Sequence, residues 1–487
     1  MTRLILAIVV LVVYAAPAHK ALAQTAPMAA PSSAPAGIVG NWVGVLTVQG
    51  LKLRLALRVS SSDERILVAK LDSIDQGAKD LPVDEIALEG NVVRFSARRL
   101  GLSFTGILDD ARSRIRGEIQ QGAATMPVTF ERVTAVPVVA RPQEPRKPYP
   151  YKEYEVRYTN GADGAQLAGT LTIPSAQGPH PAVILITGSG TQDRDETIAG
   201  HRPFLVLADH LTRRGIAVLR SDDRGAGGSS PGSTHDTSET FAGDVLAAVD
   251  FLRQRRDIDT TRIGVLGHSE GALIAVMAAT RRPGIAFVVM MAGTGQPGEA
   301  VILAQTELAQ RKYGVAPDIV STTRTALQRV FAALRAHTDP AAALAAMRTA
   351  LDDQAAALPE TSRVSFAVVR NNIAPQLKLY TTPWFRFFLD YDPATHLRQL
   401  RVPLLAVSGE LDVQALPEEN LARIDAEARS GGNVDVSVRQ LPHLNHLFQN
   451  AQTGLPNEYS TIEETIAPAA LNLISLWIEE RIRPRHR

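Results

Sequence analysis

Cysteine is absent from the 487 residues. That one absence excludes disulfide bonds, thiolate metal sites and a cysteine nucleophile, so covalent catalysis would have to run through oxygen or nitrogen. Aromatic residues are scarce at 5%, which makes any local cluster of them informative. An excess of one charge is also lacking, with 51 Lys+Arg against 50 Asp+Glu and a formal net charge of +1. The one basic block is the tail from Arg481 to Arg487, too little for the footprint of a nucleic-acid partner. Beyond the N-terminus no run approaches the roughly 18 uninterrupted apolar residues that a membrane helix needs. Zinc signatures, calcium loops, P-loops and dinucleotide fingerprints are all missing, so no cofactor and no metal is implied.

What remains is an ordinary globular composition, 45% hydrophobic and 21% charged, in a chain long enough for two large domains or three smaller ones. The start, Met1-Thr2-Arg3 followed by the apolar run Leu4 to Tyr14, has the charge and length of a secretory signal. Ala21-Leu22-Ala23 before Gln24 fits a cleavage site, with Ala16-Pro17-Ala18 as its competitor. Residues 1–23 are thus expected to be a signal peptide. The mature chain is expected to be periplasmic or secreted, with no stable membrane span after cleavage. With no cysteine near the cut, a lipid-anchored form is excluded. Residues 24–37, rich in Ala, Pro and Ser, read as a linker.

Residues Leu51, Leu53, Leu55, Leu57 and Val59 alternate with Lys52, Arg54, Ala56, Arg58 and Ser60, a period of two that marks a strand with one buried face. Similar short runs recur at 41–48, 92–96, 103–108, 114–119 and 127–131 between Gly, Asp and Asn turn signals. Residues 38–135 are therefore expected to form a small all-β barrel or sandwich domain, and 136–150 a proline-rich linker. From 151 to 487 the texture changes. Continuous apolar runs such as Ala182 to Ile186, Ile263 to Leu266 and Leu404 to Val407 alternate with helical sequence, which predicts a mostly parallel sheet covered on both faces. Between about 296 and 389 the strand signal gives way to Ala-, Leu- and Arg-rich helical sequence, the mark of an inserted cap.

The sharpest local signal is Gly267-His268-Ser269-Glu270-Gly271, between the apolar run Arg262 to Leu266 and the helix-forming run Ala272 to Ala279. A serine on so tight a strand-to-helix turn needs glycines two positions to either side, because neighbouring backbone leaves no space for side chains. An alcohol also needs a histidine base held by a carboxylate. Asp412, at the end of a predicted strand, is the expected acid, with Glu410 as rival. His446, in the loop after the run 434–441, is the expected base, with His443 as rival. The tetrahedral oxyanion calls for backbone donors, expected from Glu270 N–H and from Ser189 N–H in the glycine-rich stretch Thr187 to Thr191, with Gly190 second. The aromatic cluster Thr382 to Tyr391 is compatible with an apolar acyl pocket, although packing of the cap onto the core explains it more simply.

Taken in order, Thr187 to Asp195, Ser221 to Ser229, Gly267 to Gly271, Gly409 to Asp412 and Leu444 to His446 resemble the α/β-hydrolase superfamily. They look most like bacterial secreted or periplasmic carboxylesterases related to the serine aminopeptidase and prolyl-oligopeptidase-like branches. The resemblance covers about Tyr151 to the C-terminus and implies an eight-stranded, mostly parallel sheet with a helical cap. It carries the catalytic triad onto Ser269, Asp412 and His446. The loop Asp223 to Ser229 is similar to one that holds loops together in that branch. The oxyanion stretch departs from the lipase-type His-Gly-Gly pattern by having Thr187 where many relatives carry histidine. The β domain, opening on Gly40-Asn41-Trp42, resembles a module found before bacterial serine hydrolases. The expected function is a carboxylesterase acting on small or medium acyl esters, a small-molecule substrate, by two-step acyl transfer. A serine aminopeptidase or short-peptide peptidase with the same triad is one alternative. A noncatalytic envelope binding protein is the other.

Overall fold

The computed structural model describes residues 37–483, apart from 49–50, 63–65, 75–77, 122–123 and 138. The expected signal peptide, and the expected linker but for its last residue, lie outside the described residues. The N-terminal strands are β1 (Gly40–Val48), β2 (Leu51–Ser61), β3 (Leu67–Ser73), β4 (Ala78–Pro82) and β5 (Glu85–Glu89). They continue with β6 (Val92–Ala97), β7 (Leu102–Leu108), β8 (Arg114–Gln121) and β9 (Ala124–Val133). All belong to one antiparallel sheet in the order β4-β3-β2-β1-β9-β8-β7-β6-β5, a meander folded back on itself by the pairing of Asn41 with Val133.

The result is a half-barrel made of one curled sheet; the sandwich alternative does not occur, and β4 and β5 end the sheet unpaired with each other. Its concave face buries Trp42, Phe95, Phe104 and Phe130. Phe104 stacks on Phe95 with centroids 4.9 Å apart and meets Phe130 edge-on at 5.4 Å. The Trp42 indole donates to Ile38 O at 2.8 Å, and Arg132 lies 4.2 Å over its ring. Strands β4 and β5 escape a reading of the sequence because Ala78–Pro82 and Glu85–Glu89 are short edge segments with little buried surface.

The second sheet comprises β10 (Lys152–Thr159), β11 (Gln166–Ile173), β12 (His180–Ile186), β13 (Ala217–Ser221), β14 (Ile258–His268), β15 (Val288–Met291), β16 (Leu404–Gly409) and β17 (Val436–Leu441). Their order is β10-β11-β13-β12-β14-β15-β16-β17. Strand β11 runs antiparallel to both neighbours, and every pair from β13 to β17 is parallel. Such a sheet must be covered on both sides, and the sequence of β12 shows how. Val183 and Leu185 face one way, against α1 (Pro203–Arg213). Ala182, Ile184 and Ile186 face the other, where α2 (Ser238–Arg253) and α3 (Glu270–Arg281) pack.

Between β15 and β16 lie α4 (Gly298–Lys312), α5 (Pro317–Arg335), α6 (Pro340–Ala357), α7 (Glu360–Ile373), α8 (Leu377–Tyr380), α9 (Pro383–Asp390) and α10 (Ala394–Leu397). Helix α11 (Pro417–Ser430) joins the face of α2 and α3, and α12 (Pro468–Ile482) joins α1. In the cap, α5 buries Ile319, Thr323, Leu327, Val330 and Leu334 along one stripe, the spacing of an amphipathic helix. The aromatic cluster packs inward: Phe385 stacks on Tyr380 with centroids 4.2 Å apart and leans on Phe331. The proline-rich connector is bound to the second unit. Arg141 donates to Ser460 O and Ile462 O at 2.8 and 2.9 Å, while Gln143 accepts from Thr465 N at 2.6 Å.

Removing the ring at the centre of the first sheet opens a cavity that the rigid strands cannot fill. Phe130→Ala is expected to destabilise that sheet by about 3–5 kcal/mol. Faster amide hydrogen exchange in β8 and β9 would record it, and unchanged protection there would contradict it.

Candidate active site

Parallel strands deliver their following loops to one edge of a sheet, and ligand sites form at that edge. Residues 187–190 follow β12, 222–224 follow β13, Ser269 follows β14, Asp412 follows β16 and His446 follows β17. Strand β12 pairs with β14 so that Ile186 stands beside Gly267, which places the glycine-rich loop against the serine turn. Ser269 itself adopts φ +55°, ψ −118°, a strained conformation for a residue with a side chain, of order 1–3 kcal/mol. Its N–H is held by Met291 O at 2.8 Å.

Glycine is required on both sides of that turn. A Cβ on Gly267 would run into the Gly271 carbonyl, and one on Gly271 into the carbonyls of Ile186 and Thr187. Gly409 plays the same part further along, because a Cβ there would meet the Leu444 carbonyl. The loop that carries His446 can therefore press directly on the end of β16, where Leu411 N–H donates to Leu444 O at 2.9 Å.

Asp412 and His446 are brought into contact. Asp412 Oδ2 lies 2.8 Å from His446 Nδ1, and both residues are buried. The other oxygen, Oδ1, accepts from Gln414 N and Ala415 N at 2.8 and 2.9 Å, which fixes the carboxylate plane. Asn445 Oδ1 accepts from Leu447 N and Gln449 N, both at 3.0 Å, and holds the loop around the histidine. The rivals pair elsewhere: Glu410 Oε2 accepts from His443 N at 2.9 Å, and the His443 ring is largely exposed.

The hydroxyl of Ser269 and the His446 imidazole make no hydrogen bond among the described residues. They are neighbours through His268, whose ring centroid is 4.9 Å from that of His446. In unliganded hydrolases such bonds are often long and close only around substrate.

On the donor side, Gly188 N–H is already engaged by Glu196 Oε1 at 2.8 Å. That leaves the amides of Ser189 and Gly190 as candidates, beside Glu270 N–H at the first turn of α3. The Glu270 side chain is buried, and its Oε1 accepts from Ser238 Oγ at 2.6 Å and from the Trp384 indole at 2.9 Å. The cap is thus tied to the residue after the serine.

One feature is invisible in sequence: Glu196, because a carboxylate in a loop of charged residues carries no local mark of burial. Asp223, expected from the resemblance to hold loops together, accepts from Thr187 Oγ1 at 2.7 Å and Gln192 N at 2.9 Å and so clamps the glycine-rich loop. Asp222 and Arg224 brace the loops around it, Asp222 through Arg194 at 2.8 Å and Arg224 through Asp244 at 2.6 Å. A cavity lined by Thr187, Gly188, Gly190, Asp223, Glu270 and Ile274 lies behind this loop; Ser269 and His446 do not line it. Among the described residues no cluster of His, Asp and Glu is arranged to hold a metal ion, and no helix is long and apolar enough to cross a membrane.

Dense surrounding protein costs the Asp223 carboxylate its hydration, and the negative charges of Glu196 and Glu270 add to that effect. Its hydrogen bonds offset only part, and its pKa is pushed up to about 7 from 3.8. Between those two values the folded state holds a proton that the unfolded chain releases, so this group's contribution to stability falls as pH rises from about 4 to about 7. Asp223→Asn removes that slope. The stability advantage of wild type over the variant, from urea unfolding, is expected to be larger at pH 5 than at pH 8; an equal difference at both would show that Asp223 does not titrate there.

A family model described as X-Pro dipeptidyl-peptidase (S15 family) matches residues 163–445, a span that takes in Ser269 and Asp412 and stops one residue before His446. The esterase EstD of Thermotoga maritima is 28% identical over 296 residues, covering 60% of this chain and 61% of the esterase. An uncharacterised protein of Mycobacterium tuberculosis is 35% identical over 127 residues, 26% of this chain and 41% of its own length. The chain thus spans about three-fifths or less of the curated relatives it matches. Among solved structures, an esterase of Pyrococcus furiosus aligns with 71% of this chain and 98% of its own at a TM-score of 0.42 and 16% identity. The family match runs through the glycine-rich loop, the serine turn and the acid loop alike, and on that span the chain, an α/β-hydrolase, belongs to the X-Pro dipeptidyl-peptidase (S15) family.

Proposed function

We propose that this protein is a serine hydrolase that cleaves small or medium acyl esters by two-step acyl transfer. Ser269 Oγ attacks the acyl carbon while His446 Nε2 takes its proton. The tetrahedral intermediate collapses as His446 returns that proton to the departing alcohol, leaving an acyl-serine. Water then attacks with His446 again as base, releasing the acid and restoring the hydroxyl. Asp412 fixes the imidazole with Nδ1–H toward its carboxylate and stabilises the imidazolium that forms. Ser189 N–H and Glu270 N–H receive the oxyanion, each such donor being worth about 2.7–4 kcal/mol of barrier.

The observation that carries this reading is the buried 2.8 Å contact between Asp412 and His446, set against a serine held in a strained turn at the same sheet edge. The similarity to a Thermotoga maritima esterase supports an ester substrate. The family match at 163–445 favours a second reading, a peptidase releasing short N-terminal peptides with the same three side chains. In either case we place the mature chain in the periplasm or outside the cell, from the character of residues 1–23.

A fluorophosphonate should label Ser269 of the folded protein, and Ser269→Ala should lower kcat on 4-nitrophenyl butyrate by a factor on the order of 10⁵ or more with little change in thermal midpoint. A folded, unlabelled wild type would rule out the hydrolase reading. Faster turnover of Ala-Pro-4-nitroanilide than of the ester would select the peptidase. Expressed with its full N-terminus in a Gram-negative host, the protein should be recovered from the periplasm with a new N-terminus near Gln24; recovery in the cytoplasm with Met1 intact would overturn the placement.

A further inference from the structure

Glu196 lies in the loop between β12 and α1 with φ +53°, and is only 3% exposed. Two groups meet at its Oε1: the N–H of Gly188 at 2.8 Å, and Nδ1 of His268 at 3.0 Å. The second ring nitrogen of His268, Nε2, is 2.9 Å from the backbone oxygen of His446. A carboxylate and a carbonyl can only accept, so a ring bonded to both must donate from both nitrogens, which a neutral imidazole cannot do. Burial alone would lower the pKa of His268. The charge and hydrogen bond of Glu196 outweigh it, helped by the His446 carbonyl and the more distant Asp412, and hold that pKa above the ordinary histidine value. With both nitrogens engaged, His268 has none left to serve Ser269 as a base.

Three chain segments meet at this pair. Gly188 belongs to the loop that offers oxyanion donors, His268 precedes the nucleophile, and the His446 carbonyl belongs to the residue that supplies the base. We propose that Glu196 and His268 are positioning residues for hydrolysis: a buried carboxylate–imidazolium bridge that sets the oxyanion loop and the base loop at fixed distances from Ser269. The proposal rests on the assignment of Ser269 and His446 given above. It accounts for the strained backbone of Glu196, because that conformation turns its carboxylate toward both partners. A shift of about 1 Å in catalytic groups can lower a rate on the order of 10²-fold, so the bridge acts on the chemical step rather than on binding.

The test compares wild type with Glu196→Gln and His268→Gln. Glu196→Gln keeps the shape of the side chain, and its amide oxygen can still accept from Gly188 and His268, but it lacks the negative charge that holds the His268 ring doubly protonated. Folded state is checked by circular dichroism, and kcat and KM are measured on 4-nitrophenyl butyrate. The expected result is a kcat lower on the order of 10²-fold with KM nearly unchanged. Folded variants with wild-type kcat, or with the whole loss in KM, would overturn the proposal. A second measurement uses wild type alone: in ¹⁵N-histidine-labelled protein at neutral pH, both ring nitrogens of His268 should carry protons. A neutral ring there would also overturn the bridge, whether or not the variants fold. If wild type hydrolyses no ester or anilide, the functional reading fails, and the nitrogen spectrum still decides the bridge.

Discussion

Close backbone approach at the end of β14 is the constraint on which the site depends. Strands β12 and β14 stand side by side, and the turn between β14 and α3 is so tight that the positions of Gly267 and Gly271 have no space for a Cβ. At Gly271 the carbonyls that would collide with one are those of Ile186, the last residue of β12, and Thr187, the first of the glycine-rich loop. The same closeness that forbids a side chain brings backbone amides of two separate loops to the serine. Gly409 repeats the arrangement under the histidine loop. The candidate site is assembled from backbone contacts first, and the side chains of Ser269, Asp412 and His446 stand on that framework.

Charge is then arranged around the framework with few loose ends. Asp412 shares its oxygens between an imidazole and two amides. Glu196, Asp223 and Glu270 each anchor a loop or helix near Ser269 through hydrogen bonds. Buried carboxylates are expensive unless every oxygen finds a donor, and these find donors from different parts of the chain. Their positions are therefore coupled, and a change in one loop is felt by the others.

The residues legible in sequence were those whose chemistry imposes a local pattern. Gly267 and Gly271 are read from the turn, and the strands β12, β14 and β16 from continuous apolar runs that a doubly covered sheet demands. Asp412 and His446 are read from their places after such strands. Glu196 has no such pattern, because what sets it apart is contact with Gly188, hidden in loop geometry, and with His268, remote in the chain; Asp223 stands in the stretch 223–229, which the resemblance marks as holding loops together. Strands β4 and β5 were missed for the opposite reason: as edges they bury little, so nothing in their sequence had to be apolar. The aromatic stretch at 382–391 is compatible in sequence with a pocket, and its rings mainly pack the cap, the simpler of the two readings.

One aromatic residue of that stretch does reach the candidate site. The indole of Trp384, on cap helix α9, is bonded to the side chain of Glu270, whose amide begins α3 beside Ser269. A lid in most enzymes chooses what enters and leaves the chemistry to the platform below. Here an N–H of the lid is bonded to the residue after Ser269, so a lineage that exchanged its lid for a new diet would also retune the group next to that serine, and selectivity and speed would have to evolve together.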